Sequence, residues 1–272
     1  MPGWTLIETR PTCGRIFQRP LDATERSFFW DANFNGTSDT LHPVELRLLN
    51  PSENAHFFSD ANIIKAWLST KRRYPLAGAT IQALPGMQCA TCHPEGADLK
   101  AESGGDSSDP HFVIREHDLT ALHPNEVIFG QVTCAEDVER RMAEILDGPR
   151  PLSDELLAQL YVFRETDPQR KDILHVMTLI AHCVTDALAN KAFMRCLLDT
   201  LARGGEPGAE PAQVPLEERL AMVIPSADLE PLWLRALSPA KRRWRRVISA
   251  VVLRLRMEKR QVCATYLSLT FS

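Results

Sequence analysis

The chain has 272 residues, a formal charge of −4 at pH 7, 44% apolar residues and 24% charged residues. That is long enough to bury a sizeable core in one large or two small domains, and the composition is ordinary for a globular protein. The slight negative balance gives no overall attraction to nucleic acid or an anionic membrane, no run approaches a membrane span, and seven irregularly spaced cysteines do not make a secreted disulfide framework.

The opening Met1-Pro2-Gly3-Trp4-Thr5-Leu6-Ile7-Glu8 lacks the basic segment and apolar run of a signal peptide, so a reducing cytosol is the expected compartment. After a short arm, residues 44–49 predict a strand. A helix follows over about 59–73, with Ser59 or Asp60 as N-cap and Ile63, Ile64, Trp67 and Leu68 as its apolar face. Tyr74-Pro75 ends it, because the residue before a proline is pushed out of the helical region. Residues 76–83 predict another strand. Pro85 to Pro110, rich in Gly, Ser, Asp and Pro, predicts a mobile loop or hairpin tip. Strand character returns at 111–115 and 126–133. A helix over about 135–146 presents Val138, Met142 and Ile145, and Asp147-Gly148-Pro149 stops it. Leu156 to Phe163 is an apolar run compatible with strand or short helix. It leads through polar Arg164–Arg170 into the nearly continuous apolar Ile173–Ala181, which suggests a hairpin ending in a buried strand.

His182-Cys183-Val184-Thr185-Asp186 lies where that strand gives way to a helix. Leu188, Phe193, Leu197, Leu198 and Leu201 keep mostly three- and four-residue spacing, predicting the face that helix turns to a core. A histidine at such a junction is held by rigid elements and can still reach a cleft, and imidazole suits proton transfer near neutral pH. Asp186 at the start of the helix interacts favourably with its dipole. Cys183 is poorly placed to form a thiol–imidazole pair with its own neighbour on the chain. His175 reads as a satisfied core histidine or one turned away from the cleft.

This pattern resembles the active-site motif of the chloramphenicol-acetyltransferase-like fold, the group of the BAHD acyltransferases, the fungal trichothecene-type acetyltransferases and the condensation domains of peptide synthetases. The resemblance is collinear over about 200 residues. It begins at Arg19-Pro20-Leu21-Asp22-Ala23-Thr24-Glu25 and continues through Val44–Leu49, the helix ending at Tyr74-Pro75-Leu76 and the strand His111–Arg115 to His182-x-x-x-Asp186. Ala181 stands where condensation domains often carry an extra histidine, and Ala187 where a glycine usually follows the aspartate. The family also has a second half of similar size, with an Asp-Phe-Gly-Trp-Gly-like motif that this chain does not match.

The resemblance implies an α/β sandwich lobe with a mixed, partly antiparallel sheet at 1–203, followed by a C-terminal linker and helix. It implies transfer of an acyl group from an acyl-CoA co-substrate to a hydroxyl or amine of a small molecule. His182 would be the general base, and Asp186 would support the site by facing away from the reacting atoms toward an arginine. No bound cofactor and no metal are expected. The alternative is a catalytically inactive, truncated lobe serving as an interaction protein or arising from a truncated reading frame.

Two further signals compete with this reading. Cys89-Ala90-Thr91-Cys92-His93 matches the Cys-x-x-Cys-His pattern of haem attachment and could supply zinc ligands, with His111 or His117 as further donors. Its polar setting favours ordinary loop residues. From Gly204 a breaker-rich linker precedes a short helix at 216–223 and a longer one at 239–260, the whole forming a segment over 204–261. Lys241-Arg242-Arg243-Trp244-Arg245-Arg246 could bind phosphates, but a solvated or subunit-facing helix is the simpler expectation. Its stripe over 244–255 is a candidate self-association surface. Residues 262–272 form an uncharged tail unlike the Arg-rich segment before it.

Overall fold

The structure is a computed structural model that describes residues 3–10, 14–36, 38–50, 54–83, 109–204, 214–225 and 267–271, with scattered positions between 237 and 248. In chain order the elements are β1 (Thr5–Arg10), β2 (Gly14–Pro20), α1 (Ala23–Asn35), β3 (Asp39–Leu48), α2 (Asp60–Arg73), β4 (Thr80–Ala83), β5 (Pro110–Arg115), β6 (Val127–Val132), α3 (Ala135–Asp147), β7 (Ala158–Glu165), β8 (Ile173–Ala181), α4 (Ala187–Leu201), α5 (Leu216–Ala221) and β9 (Leu267–Phe271). They build two sheets, one of four strands in the order β1-β2-β5-β4 and one of five in the order β6-β7-β8-β3-β9. The β6–β7 and β3–β9 pairs are parallel and the rest antiparallel, so the expected α/β sandwich with a mixed sheet is present.

β8 is the middle strand of the larger sheet, and all nine of its residues are buried. Both faces are covered, which is why its sequence is a continuous apolar run rather than an alternation. On one face Leu174, Val176 and Ile180 join Val44 and Leu46 of β3 against Ile63, Ala66 and Trp67 of α2 and Phe193, Leu197 and Leu198 of α4. On the other, Met177, Leu179 and Ala181 meet Phe17, Phe112 and Ile114 from the smaller sheet. Each such fully buried side chain contributes roughly 1.5–3 kcal/mol.

The helix ends follow from their caps. Ser59 accepts from the Asn62 backbone N–H and starts α2, and Tyr74 ahead of Pro75 ends it. Asp22 accepts from the backbone of Thr24 and Glu25, while the Glu25 side chain returns to the Asp22 N–H, a capping box that starts α1. Gly36 ends that helix at φ 64, a left-handed conformation that glycine adopts without strain. Glu25 also takes both ends of the buried Arg19 guanidinium at 2.7 and 2.9 Å. That guanidinium lies 5.4 Å from the Trp4 ring and 5.2 Å from the Phe112 ring, so its charge is neutralised in one plane and stacked in the other.

Several expectations change. The short arm before residue 44 is two strands and a helix, and β3 itself begins at Asp39. Residues 75–78 are a 3-10 turn opened by Pro75, which leaves only Thr80–Ala83 as strand. The ambiguous run near 156–163 is β7, hairpinned to β8 as expected. Leu188 is 76% exposed, because it is five positions before Phe193 and falls off the face that Phe193, Leu197 and Leu201 share. The tail contributes β9, in register with β3 from Val44↔Leu267 to Leu48↔Phe271. The expected loop at 85–110 lies outside the described residues except for Asp109 and Pro110, and so does the 249–260 part of the expected basic helix. Among the described residues no helix is long and apolar enough to cross a membrane.

Candidate active site

β8 delivers His182 one residue beyond its last sheet position, Ala181, which faces the core between the two sheets. The His182 backbone N–H still bonds to Ser38 O at 3.1 Å, extending the β3–β8 ladder by one rung. The chain then turns, with the Val184 N–H returning to Ala181 O at 3.0 Å, and α4 begins at Ala187. A half-buried imidazole is thereby fixed at the sheet end by backbone on both sides.

Two contacts orient the ring. Its Nδ1 lies 2.7 Å from the carbonyl oxygen of Thr185. A carbonyl can only accept, so Nδ1 carries the proton in the neutral ring and Nε2 keeps its lone pair. The Phe28 ring stacks on the imidazole at 4.0 Å between centroids and 21° between planes. Phe28 comes from α1, which leads through Gly36 and Ser38 into β3. Arg150 closes the same corner, bonding Asp39 through Nε at 2.7 Å and Nη2 at 3.2 Å and Asn33 through Nη1 at 2.9 Å.

The neighbours differ sharply. Cys183 is buried, and burial pushes its thiol up to about 12, so it is a neutral core group across the physiological range. Asp186 is exposed and caps α4, its Oδ1 accepting from Leu188 N at 2.9 Å and Ala189 N at 2.7 Å. His182 and Asp186 therefore share one turn, with the ring and the carboxylate engaged by different partners. His175 is a satisfied core residue, 3.0 Å from the buried Glu165 carboxylate.

Phe28 is the site residue that the sequence did not single out. Its signal was the Asp22-x-x-Glu25 capping box, which starts α1 and sets the phase that brings Phe28 to the ring. Cys89, Cys92 and His93 lie outside the described residues. Trp244, Val247 and Ile248 are exposed. A separate apolar cavity of about 290 Å³ lies between Leu46, Leu48, Phe57, Phe58, Leu198 and Leu201. At about 3.3 Å per strand residue it sits roughly 25 Å along β3 from the Ser38 rung beside His182.

No family model matches the sequence, and no curated protein is detectably similar to it. Solved structures match in fold. The trichothecene 15-O-acetyltransferase TRI3 from Fusarium sporotrichioides covers 92% of this chain at a TM-score of 0.56 and 12% identity, with 47% of its own length matched. The tallysomycin biosynthesis protein TlmII covers 84% at a TM-score of 0.50 and 15% identity, over 45% of its length. The starter condensation domain of rhizomide synthetase RzmA covers 82% at a TM-score of 0.50 and 11% identity, over 48% of its length. The chain has the chloramphenicol-acetyltransferase-like fold. The chain spans about half the length of each of those structures.

Proposed function

We propose that the chain is the base-carrying lobe of an acyltransferase, moving an acyl group from acyl-CoA to a hydroxyl or amine of a small molecule. The observation that carries this reading is the His182–Thr185 hydrogen bond, which leaves Nε2 as a free base at the end of a rigid strand. In the reaction, the acceptor's oxygen or nitrogen attacks the thioester carbonyl carbon as Nε2 takes its proton. The carbonyl electrons move to oxygen, giving a tetrahedral oxyanion. Its collapse re-forms the carbonyl and expels the CoA thiolate, which takes the proton back from Nε2. Asp186 holds the start of α4, and with it the turn that carries the ring. The fold of acetyltransferase and condensation-domain structures supports the acyl-transfer class, and the free cysteines Cys134, Cys183 and Cys196 suit a cytosolic setting.

The oxyanion needs preorganised donors, often the largest contribution in such chemistry. With about half of each matched structure beyond the span of this chain, those donors and much of the CoA site are assigned to a complementary lobe or a second copy. A second reading, which the exposed Trp244, Val247 and Ile248 favour, is a lobe that is inactive alone and acts by pairing. A thiol-release assay with acyl-CoA against a panel of alcohols and amines tests both. Turnover that falls about 10²–10⁴-fold in His182→Ala supports the base. Turnover untouched by that substitution removes it.

A further inference from the structure

We infer that Asn190, a residue of α4 with no exposed surface, is a positioning residue that sets the tautomer of His182 through the Thr185 carbonyl. The inference rests on the acyl-transfer reading for its purpose, although its geometry stands independently. The His182 Nδ1–H donates to Thr185 O at 2.7 Å. The Thr185 hydroxyl donates to Asn190 Oδ1 at 2.8 Å. Asn190 Nδ2 donates to Thr40 Oγ1 at 2.8 Å, and the Thr40 hydroxyl donates to Ile180 O at 3.0 Å. Asn190 is also tied by its backbone N–H to Asp186 O at 2.8 Å. The chain of bonds runs from the catalytic turn, across the first turn of α4, to the paired strands β3 and β8.

The donor order fixes the amide orientation. Thr40 has one hydroxyl proton and gives it to Ile180, so it can only accept from Asn190, which must present its NH₂ there and its oxygen to Thr185. The Thr185 hydroxyl has a second acceptor, Asp186 O at 3.3 Å, but the Asn190 contact is half an ångström shorter. A buried amide with both ends engaged holds the turn against rotation, because swinging Thr185 away would orphan Asn190 Oδ1 in the core. If the turn rotated, Nδ1 would lose its acceptor and the proton could shift to Nε2, the nitrogen that must stay bare to act as a base.

The test is the ring itself. Nitrogen-15 correlation spectra of the full chain at a pH where His182 is neutral, assigned against His182→Gln, report which nitrogen carries the proton. The wild type should show the Nδ1–H form. Thr185→Val keeps the shape but loses the hydroxyl, and should raise the Nε2–H population about fivefold or more, the worth of one ordinary hydrogen bond. Thr185→Ser should restore the wild-type spectrum, and Asn190→Leu should match Thr185→Val if it folds. A wild-type ring protonated on Nε2, or a tautomer unmoved by Thr185→Val, overturns the inference. A tautomer that shifts as expected in a protein without acyl transfer upholds the positioning and removes the function reading.

Discussion

His182 and Cys183, adjacent in the turn that follows β8, end in opposite environments. The ring reaches the rim, while the thiol turns into the core against residues of both sheets. The Cys183 thiol, with a reference value of 9.0, is pushed up to about 12 by burial. The folded chain thus keeps a proton that the unfolded chain releases near pH 9. The contribution of this residue to stability is full below that point and is lost as pH climbs from 9 toward 12. Urea midpoints should fall between about pH 8 and pH 10 in the wild type, and less steeply in Cys183→Ala. A thiol reagent should label Cys183 only after denaturation, and fast native labelling would contradict the burial. Asp186→Ala removes a helix cap and should cost about 0.5–2 kcal/mol in chemical denaturation. His182 was legible in the sequence because a polar residue interrupts the boundary of a long apolar strand. For Phe28 the Asp22–Glu25 capping box marks only where α1 starts, and its stacking on a ring beyond the end of β8 depends on a fold that local spacing does not encode.

At the scale of elements, α2 and the segment leading into β6 are joined by a buried ion pair with all its visible valences used. Lys71 Nζ lies 2.7 and 3.0 Å from the Glu126 oxygens and 2.7 Å from Ala121 O. Glu126 also accepts from Trp67 Nε1 at 2.7 Å and the His123 backbone at 2.6 Å. Lys71→Met keeps the stem but leaves the carboxylate uncompensated in the core, and should destabilise by about 3–5 kcal/mol. A loss under 1 kcal/mol would show that water reaches this pair. The elements that periodicity revealed, α2, α3, β8 and α4, each meet the core along one stripe or as a central strand. The first three elements did not show that way. α1 has apolar residues on several sides, with Phe28 and Phe29 turned to the core and Trp30 and Phe34 exposed and stacked on each other at 5.4 Å, so no single face stands out. β1 and β2 carry arginines and glutamate among their apolar residues, and Arg19 is buried only because Glu25 neutralises it. Lys71 lies beside Arg72 and Arg73 in the basic last turn of α2, where nothing in the local sequence marks it for burial.

At the scale of the whole molecule, three large apolar side chains stand exposed on one segment. We propose self-association through the segment that includes Trp244, Val247 and Ile248, each about half or more exposed. Light scattering should give a mass above 30.6 kDa. Trp244→Glu with Ile248→Glu should bring it down to that value. A wild type that is already monomeric and turns over briskly would sink this assignment and the need for a complementary lobe together.

The parallel pairing of β9 with β3 also sets a clock for synthesis. The two strands are separated by more than two hundred residues, so β3 leaves the ribosome long before its outer neighbour exists. At 5–20 residues per second, its free edge waits about 10–45 s for β9. Throughout that interval a run of unpaired N–H and C=O groups beside Val44, Leu46 and Leu48 offers a template to any extended chain nearby. Nascent chains of this protein should therefore depend on chaperones most strongly between the emergence of residue 48 and that of residue 271, and crowding of polysomes should penalise them more than heat does the finished fold.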